Sequence, residues 1–193
     1  NIRRGDTETV HSVIWYSDMR NSTRLAETMA PQDYLATLND VFEATAGPVI
    51  EQGGEVLLLI GDAVLALFPT QKMPEREAAE AANRASREAL ARLDALNAER
   101  HENDLPAVAC GIALHIGDLT YGNIGIPQRL QFTAIGPAAN QVARIEALTK
   151  VLERPLLASA AFAHLLDSPW QSLGSHALRG VSDPIEVFAP QDA

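Results

Sequence analysis

A chain of 193 residues is long enough for one ordinary domain with a sizeable core, and its 47% apolar and 21% charged residues disfavour both a disordered and a membrane-embedded class. The net charge of −10 argues against a nucleic-acid partner, which needs a basic surface to neutralise phosphates, although loop amides and single arginines can still hold a small anion. Cys110, the only cysteine, leaves no internal disulfide and no cysteine-based zinc cluster, and reads as a small buried apolar residue on a strand.

Residues 9–17 form an apolar, β-branched run (Val10, Val13, Ile14, Trp15, Tyr16) of buried-strand length. It ends at Asp18 and passes into the polar loop Met19-Arg20-Asn21-Ser22-Thr23. Leu25 and Met29, then Tyr34, Leu35, Leu38, Val41, Phe42 and Ile50, recur at helical spacing, with Pro31 dividing a short helix from a longer one. Gly53-Gly54 stops the second helix, and short strands over 55–59 and 63–68 follow, joined by a hairpin-type turn at Gly61-Asp62. Residues 74–103, rich in Ala, Glu and Arg, predict a long amphipathic helix with a solvated charged face. A strand over 108–116, a turn at Gly117-Asp118 and a strand over 119–126 come next. Residues 136–150 predict a helix with Pro137 in its first turn, and short strands with one alanine-rich helix close the sheet edge.

Hairpins mixed with helices predict an α+β domain over residues 9–193, with residues 1–8 as a linker from an upstream region. No run nears the roughly 18 consecutive apolar residues of a membrane span. The start, Asn1-Ile2-Arg3-Arg4, has neither a signal-peptide pattern nor an initiating methionine. The expectation is a cytoplasmic piece of a longer protein whose upstream part is a sensor or a membrane-anchoring region.

Asp18 ends one strand and Asp62 lies in the turn between two others. Carboxylates at the ends of neighbouring strands can converge on one ion, and oxygen-only ligands suit Mg²⁺ or Mn²⁺, which also take phosphate oxygens. The loop after Asp18 runs from a strand into a helix, so its free N–H groups suit a polyphosphate. The residues alone also allow plainer readings: Asp62-Ala63 as an ordinary turn, and Asp18 with Ser22 and Thr23 as a helix cap.

The wider text is more specific. The segment Val13-Ile14-Trp15-Tyr16-Ser17-Asp18-Met19-Arg20-Asn21-Ser22-Thr23 resembles the opening strand and loop of class III adenylate/guanylate cyclases. Gly53-Gly54-Glu55 with Ile60-Gly61-Asp62-Ala63 resembles that family's second metal segment. Gly111 to Asp118 with Gly122-Asn123-Ile124-Gly125 resembles its central hairpin, and Ile135-Gly136, Asn140, Ala143-Arg144 and Glu146 its last signature. These matches lie in order from about residue 9 to residue 188.

The resemblance implies a ferredoxin-like α+β fold with a central, largely antiparallel sheet flanked by helices. It also implies a head-to-tail homodimer with two composite sites for a purine nucleoside triphosphate. Asp18 and Asp62, with the carbonyl of Met19, match the ligands of two Mg²⁺ or Mn²⁺ ions per site, and the amides of Arg20, Asn21, Ser22 and Thr23 match the phosphate cradle. From the partner chain, Asn140 and Arg144 match the pair that orients the ribose and neutralises charge at the α-phosphate. Arg129 and Arg179 lie near positions that contact the terminal phosphates.

Purine choice in this family rests on two positions, here Leu58 and Thr133. Leu58 stands where Lys or Glu is usual and can neither donate nor accept a hydrogen bond. Thr133 matches one adenylate-cyclase subgroup, which tips the expectation towards ATP over GTP. Asn21-Ser22 replaces a common Gly-Phe, and Pro137 a frequent Asp. Leu58 motivates an alternative, a degenerate nucleotide-binding or regulatory domain. A diguanylate cyclase ranks far lower, because the chain lacks that group's Gly-Gly-Asp/Glu-Glu-Phe hairpin.

Overall fold

The computed structural model describes residues 7–126, 129–178, 180 and 182–191. At its centre is strand β1 (Thr7–Met19), whose Val10, Val13, Ile14 and Trp15 are all buried. Two helices follow, α1 (Ser22–Thr28) and α2 (Pro31–Glu51), and then the hairpin β2 (Glu55–Ile60) and β3 (Ala63–Pro69). The long helix α3 (Glu75–Glu102) starts after Pro74, with Glu75 and Glu77 in its first turn and Arg100 and His101 in its last. That charge order complements the helix dipole. Next come β4 (Cys110–Ile126), β5 (Arg129–Ile135) and α4 (Pro137–Val151). The chain closes with β6 (Leu156–Ser159), α5 (Ala160–Ala163), β7 (Trp170–His176) and β8 (Ile185–Pro190).

The strands form one sheet of order β2-β3-β1-β4-β6-β8-β7, with β5 paired to β4. Every pairing is antiparallel except β4 with β6, so the α+β class and the largely antiparallel sheet are as the sequence predicts. Strand alternation divides the core into two layers. Val13, Trp15, Phe68, Ile112 and Leu114 meet the alanine face of α3 (Ala78, Ala82, Ala85, Ala89), whose small side chains let the helix lie close. Ile14, Leu65, Leu67, Ala113 and Leu119 meet Ala138, Val142 and Ile145 of α4. Burying side chains as large as Trp15 and Phe68 contributes about 2 to 3 kcal/mol each. Cys110 is buried on β4, and burial pushes its thiol up to about 12, so it stays protonated and inert.

The structure departs from the sequence expectation at Gly117-Asp118. No turn forms there: β4 runs straight through, with Ser12 opposite Gly117 and His11 opposite Asp118 on β1. The glycine serves packing instead, since a Cβ at Gly117 would stand 2.9 Å from the Cβ of Ala138. The hairpin partner of β4 is therefore β5, a strand the sequence reading lacks. The expected loop after Asp18 is also shorter, because Ser22 and Thr23 already belong to α1.

Candidate functional site

Pairing of β1 with β3 sets Asp18 opposite Ala63, the residue after Asp62. The tight turn between β2 and β3, with Gly61 at φ 62°, brings the Asp62 carboxyl beside that of Asp18. Burial first, and then the adjacent Asp62, push the Asp18 carboxyl up to about 6. Its Oδ1 is buried and has no hydrogen-bond partner.

On its other side β1 sets Asp18 opposite Gly111 of β4, and α4 crosses here so closely that a Cβ on Gly111 would lie 2.2 Å from Glu146 Oε1. The glycine thus admits a third carboxyl over the sheet. Burial and the charge of Asp18 push Glu146 up to about 7, while Arg20 pulls the other way. Asp18, Met19, Arg20, Asn21, Glu146 and Lys150 line a cleft of about 260 Å³. Glu146 lies in a matched signature, but its part in the site emerges only when α4 packs on Gly111. Gly111→Ala is expected to lower stability by about 1 to 3 kcal/mol as α4 is pushed off the sheet, read from chemical denaturation.

An orphaned buried carboxylate oxygen beside a second carboxyl, with too little positive charge nearby, fits a hard divalent cation. Among the described residues no three His, Cys, Asp or Glu side chains form a complete cage. A cation here would complete its shell with the Met19 carbonyl, water and phosphate oxygens, which suits Mg²⁺ or Mn²⁺.

The loop beyond Asp18 is pinned by Arg20 N–H donating to the Ala109 carbonyl at 2.7 Å. Asn21 takes the left-handed conformation (φ 56°, ψ 25°), which asparagine tolerates almost as glycine does. Replacement of a common glycine at this position therefore leaves the turn intact. The helical ladder of α1 begins with Leu25 N–H donating to Asn21 O, and no side chain caps the turn that holds Ser22 and Thr23.

Helix α4 opens on Gly136 (φ 129°) and Pro137, so the proline is accommodated at the helix start. Asn140 and Arg144, four residues apart, share one helix face, and Glu146 and Lys150, also four apart, share another. Asn140 lines a separate cleft of about 410 Å³ with Gly136, Pro137, Gln141, Gly180 and Ser182. Arg144 is half-buried, and its Nη2 lies 3.6 Å from where a Gly180 Cβ would stand. The two clefts have no residue in common, so one chain keeps the carboxylates apart from the Asn140 face.

Leu58 follows a bulge in β2, pairs with Leu65 and packs into the α4-side core layer. Strands β2 and β5 touch across the curled sheet. On β5 it is Ala134 that packs into that layer; Thr133, opposite Gly122, faces the other way by strand alternation. Arg129 is exposed at the start of β5. Arg179 lies outside the described residues.

Comparison with known proteins supplies the family. Residues 6–180 match the model of the adenylate and guanylate cyclase catalytic domain. The chain belongs to that family. An adenylate cyclase of Anabaena cylindrica is 30% identical over 197 residues, covering 100% of this chain and 37% of that protein. The cyclase domain thus spans about a third of the length of the curated relatives it matches. The adenylyl cyclase CyaB from P. aeruginosa shares its fold at a TM-score of 0.85 and 21% identity, over 97% of this chain and 99% of that one. The guanylyl cyclase Cya2 does so at 0.77 and 24%, over 96% and 93%. No helix among the described residues is long and apolar enough to cross a membrane.

Proposed function

We propose that this cyclase domain converts a purine nucleoside triphosphate, ATP in preference to GTP, into its 3′,5′-cyclic monophosphate and pyrophosphate, at two composite sites of a homodimer. The observation that carries this reading is the adjacent carboxyl pair Asp18 and Asp62, with the orphaned Asp18 Oδ1, set apart from the Asn140 and Arg144 face of α4. The separation supports a dimer, because a second copy can bring its Asn140 face to the first copy's carboxylates. Exposed Leu59 and Ile60 on β2, and Ile124, Phe132 and Ile135 on the β4–β5 hairpin, supply apolar surface for such an interface.

Asp18, Asp62 and the Met19 carbonyl would hold two Mg²⁺ or Mn²⁺ ions, which supply activation of the ribose 3′-hydroxyl and charge neutralisation on the triphosphate. Amides from Asn21 to Thr23 bind the phosphates; the Arg20 N–H, expected among them, is instead held by the Ala109 carbonyl. Asn140 of the second chain orients the ribose, and the Arg144 guanidinium donates to the α-phosphate oxygens as negative charge builds there. Arg129 and Arg179 are assigned to the terminal phosphates. The domain is assigned to the cytoplasm, as the catalytic part of a longer chain with an upstream sensor or membrane anchor.

The apolar setting of Leu58 favours a second reading, a domain that binds nucleotide without turning it over. Pyrophosphate release from ATP or GTP with Mn²⁺ separates the two: nucleotide bound with no pyrophosphate released supports the second. Leu58→Lys is expected to shift the ratio of kcat/KM for ATP over GTP by about tenfold, the size of one charge-assisted hydrogen bond. An unchanged ratio would mean that the base is read elsewhere.

A further inference from the structure

A buried polar relay runs from the sheet to the first turns of α4. His115 on β4 is 8% exposed, and its Nδ1 stands 2.7 Å from Ser159 Oγ. That oxygen also accepts from the Phe162 N–H at the start of α5, so its own proton is available to donate to Nδ1. Burial holds the ring neutral, with its pKa pushed down to about 4. A neutral imidazole that accepts at Nδ1 carries its proton on Nε2. Nε2 faces the Ala138 turn of α4, and the side chain of Gln141, one turn further along, lies beside this ring with its amide oxygen as the group that can accept from Nε2–H. The Gln141 NH₂ group is left over, and Gln141 lines the cleft that also holds Asn140 and Gly136. Little slack remains in the arrangement, since a Cβ on Gly117 would stand 2.9 Å from Ala138 Cβ and 3.5 Å from His115 Nε2.

We propose that Gln141 is a substrate-binding residue, its amide oriented by His115 and Ser159 to donate to the ribose 2′-hydroxyl of nucleotide bound at the Asn140 face. This rests on the cyclase reading of that face. The 3′-hydroxyl must lose its proton and attack phosphorus, so a fixed donor on the sugar is compatible with the 2′-oxygen. Gln141 is the group in contact with substrate; His115 and Ser159 are positioning residues that act through it.

The test uses the whole domain with Mn²⁺, comparing ATP with 2′-deoxy-ATP as substrates and their non-hydrolysable analogues as ligands. Gln141→Ala should raise the KM for ATP about fivefold, the worth of one hydrogen bond, with kcat changed less than twofold. With 2′-deoxy-ATP the KM values of variant and parent should coincide. Ser159→Ala should raise the ATP KM in the same direction, and ring ¹⁵N resonances of the parent should report the Nε2–H tautomer of His115. An unchanged KM in Gln141→Ala, an equal rise with both nucleotides, or the opposite tautomer overturns the proposal. Cyclic product from the parent establishes the cyclase reading independently of Gln141. A parent that binds analogue but makes no product sinks that reading, while the ratio of analogue Kd values still decides the role of Gln141. A parent that binds neither analogue overturns both.

Discussion

Asp18→Asn will abolish cyclic nucleotide formation and, in the metal-free domain above pH 7, raise the melting temperature. The loss should exceed about 10³-fold, because the variant removes an anionic ligand whose cation would stabilise several kcal/mol of transition-state charge. The gain in stability follows from linkage. Folding pushes the Asp18 carboxyl up to about 6, above an unfolded carboxyl that ionises near pH 4. A group raised on folding gives its full stabilisation below the unfolded pKa, and loses it as pH climbs through the folded value. At pH 7 and above, the native state therefore carries an ionised Asp18 beside Asp62 at a cost the unfolded chain escapes. Two units would correspond to about 3 kcal/mol, but the group is only half-buried and solvent screening reduces this to about 1 kcal/mol. For a domain of this size that is about 2 to 4 °C. Glu146, pushed up to about 7, adds to the cost in the same pH window. Mn²⁺ should raise the melting temperature of the parent at pH 8 and leave that of Asp18→Asn nearly unmoved. A variant less stable than the parent at pH 8 would mean that the pair is already satisfied within the chain.

Mixing Asp18→Ala chains with Arg144→Ala chains should restore turnover that neither has alone. A heterodimer of the two pairs one intact Asp18 with one intact Arg144 in a single site, and leaves both defects in the other. With random exchange half the dimers are mixed, each with one good site of two, so recovery should approach about one quarter of the parental activity. The geometry behind this is the helical phase of α4. Arg144 and Glu146 are two residues apart, about 200° around the helix, so a face turned towards Asp18 turns Arg144 away. Mixed dimers demonstrated by differential tagging, yet inactive, would contradict the shared site.

Much of this arrangement is legible in the chain itself. Apolar periodicity places β1, the β2–β3 hairpin, α3 and α4 within one or two residues of where they lie, because each buries a face whose spacing is its own signal. Gly117-Asp118 misleads because glycine before a polar residue is turn chemistry locally, whereas its purpose here is tertiary: it makes room for Ala138. Strand β5 is hidden for the related reason that its Gln131, Phe132 and Ile135 are exposed and carry no buried stripe. The Asp18–Asp62 pair can be read from strand ends and resemblance. The third carboxyl cannot, since Glu146 reaches it through a helix crossing that depends on one absent Cβ at Gly111. The same holds for Gln141, whose partner His115 lies 26 residues earlier in the numbering and on another element. Thr133 and Leu58 look like a pair in one dimension, but strand alternation turns Thr133 away from the layer where Leu58 packs.

The most direct measurement is the product itself. Parent domain with Mn²⁺ and either ATP or GTP, analysed by mass, should yield the 3′,5′-cyclic monophosphate and pyrophosphate in equal amounts, faster from ATP, with Asp62→Ala yielding neither. A non-cyclic monophosphate or diphosphate product, or turnover that survives in Asp62→Ala, would contradict the account.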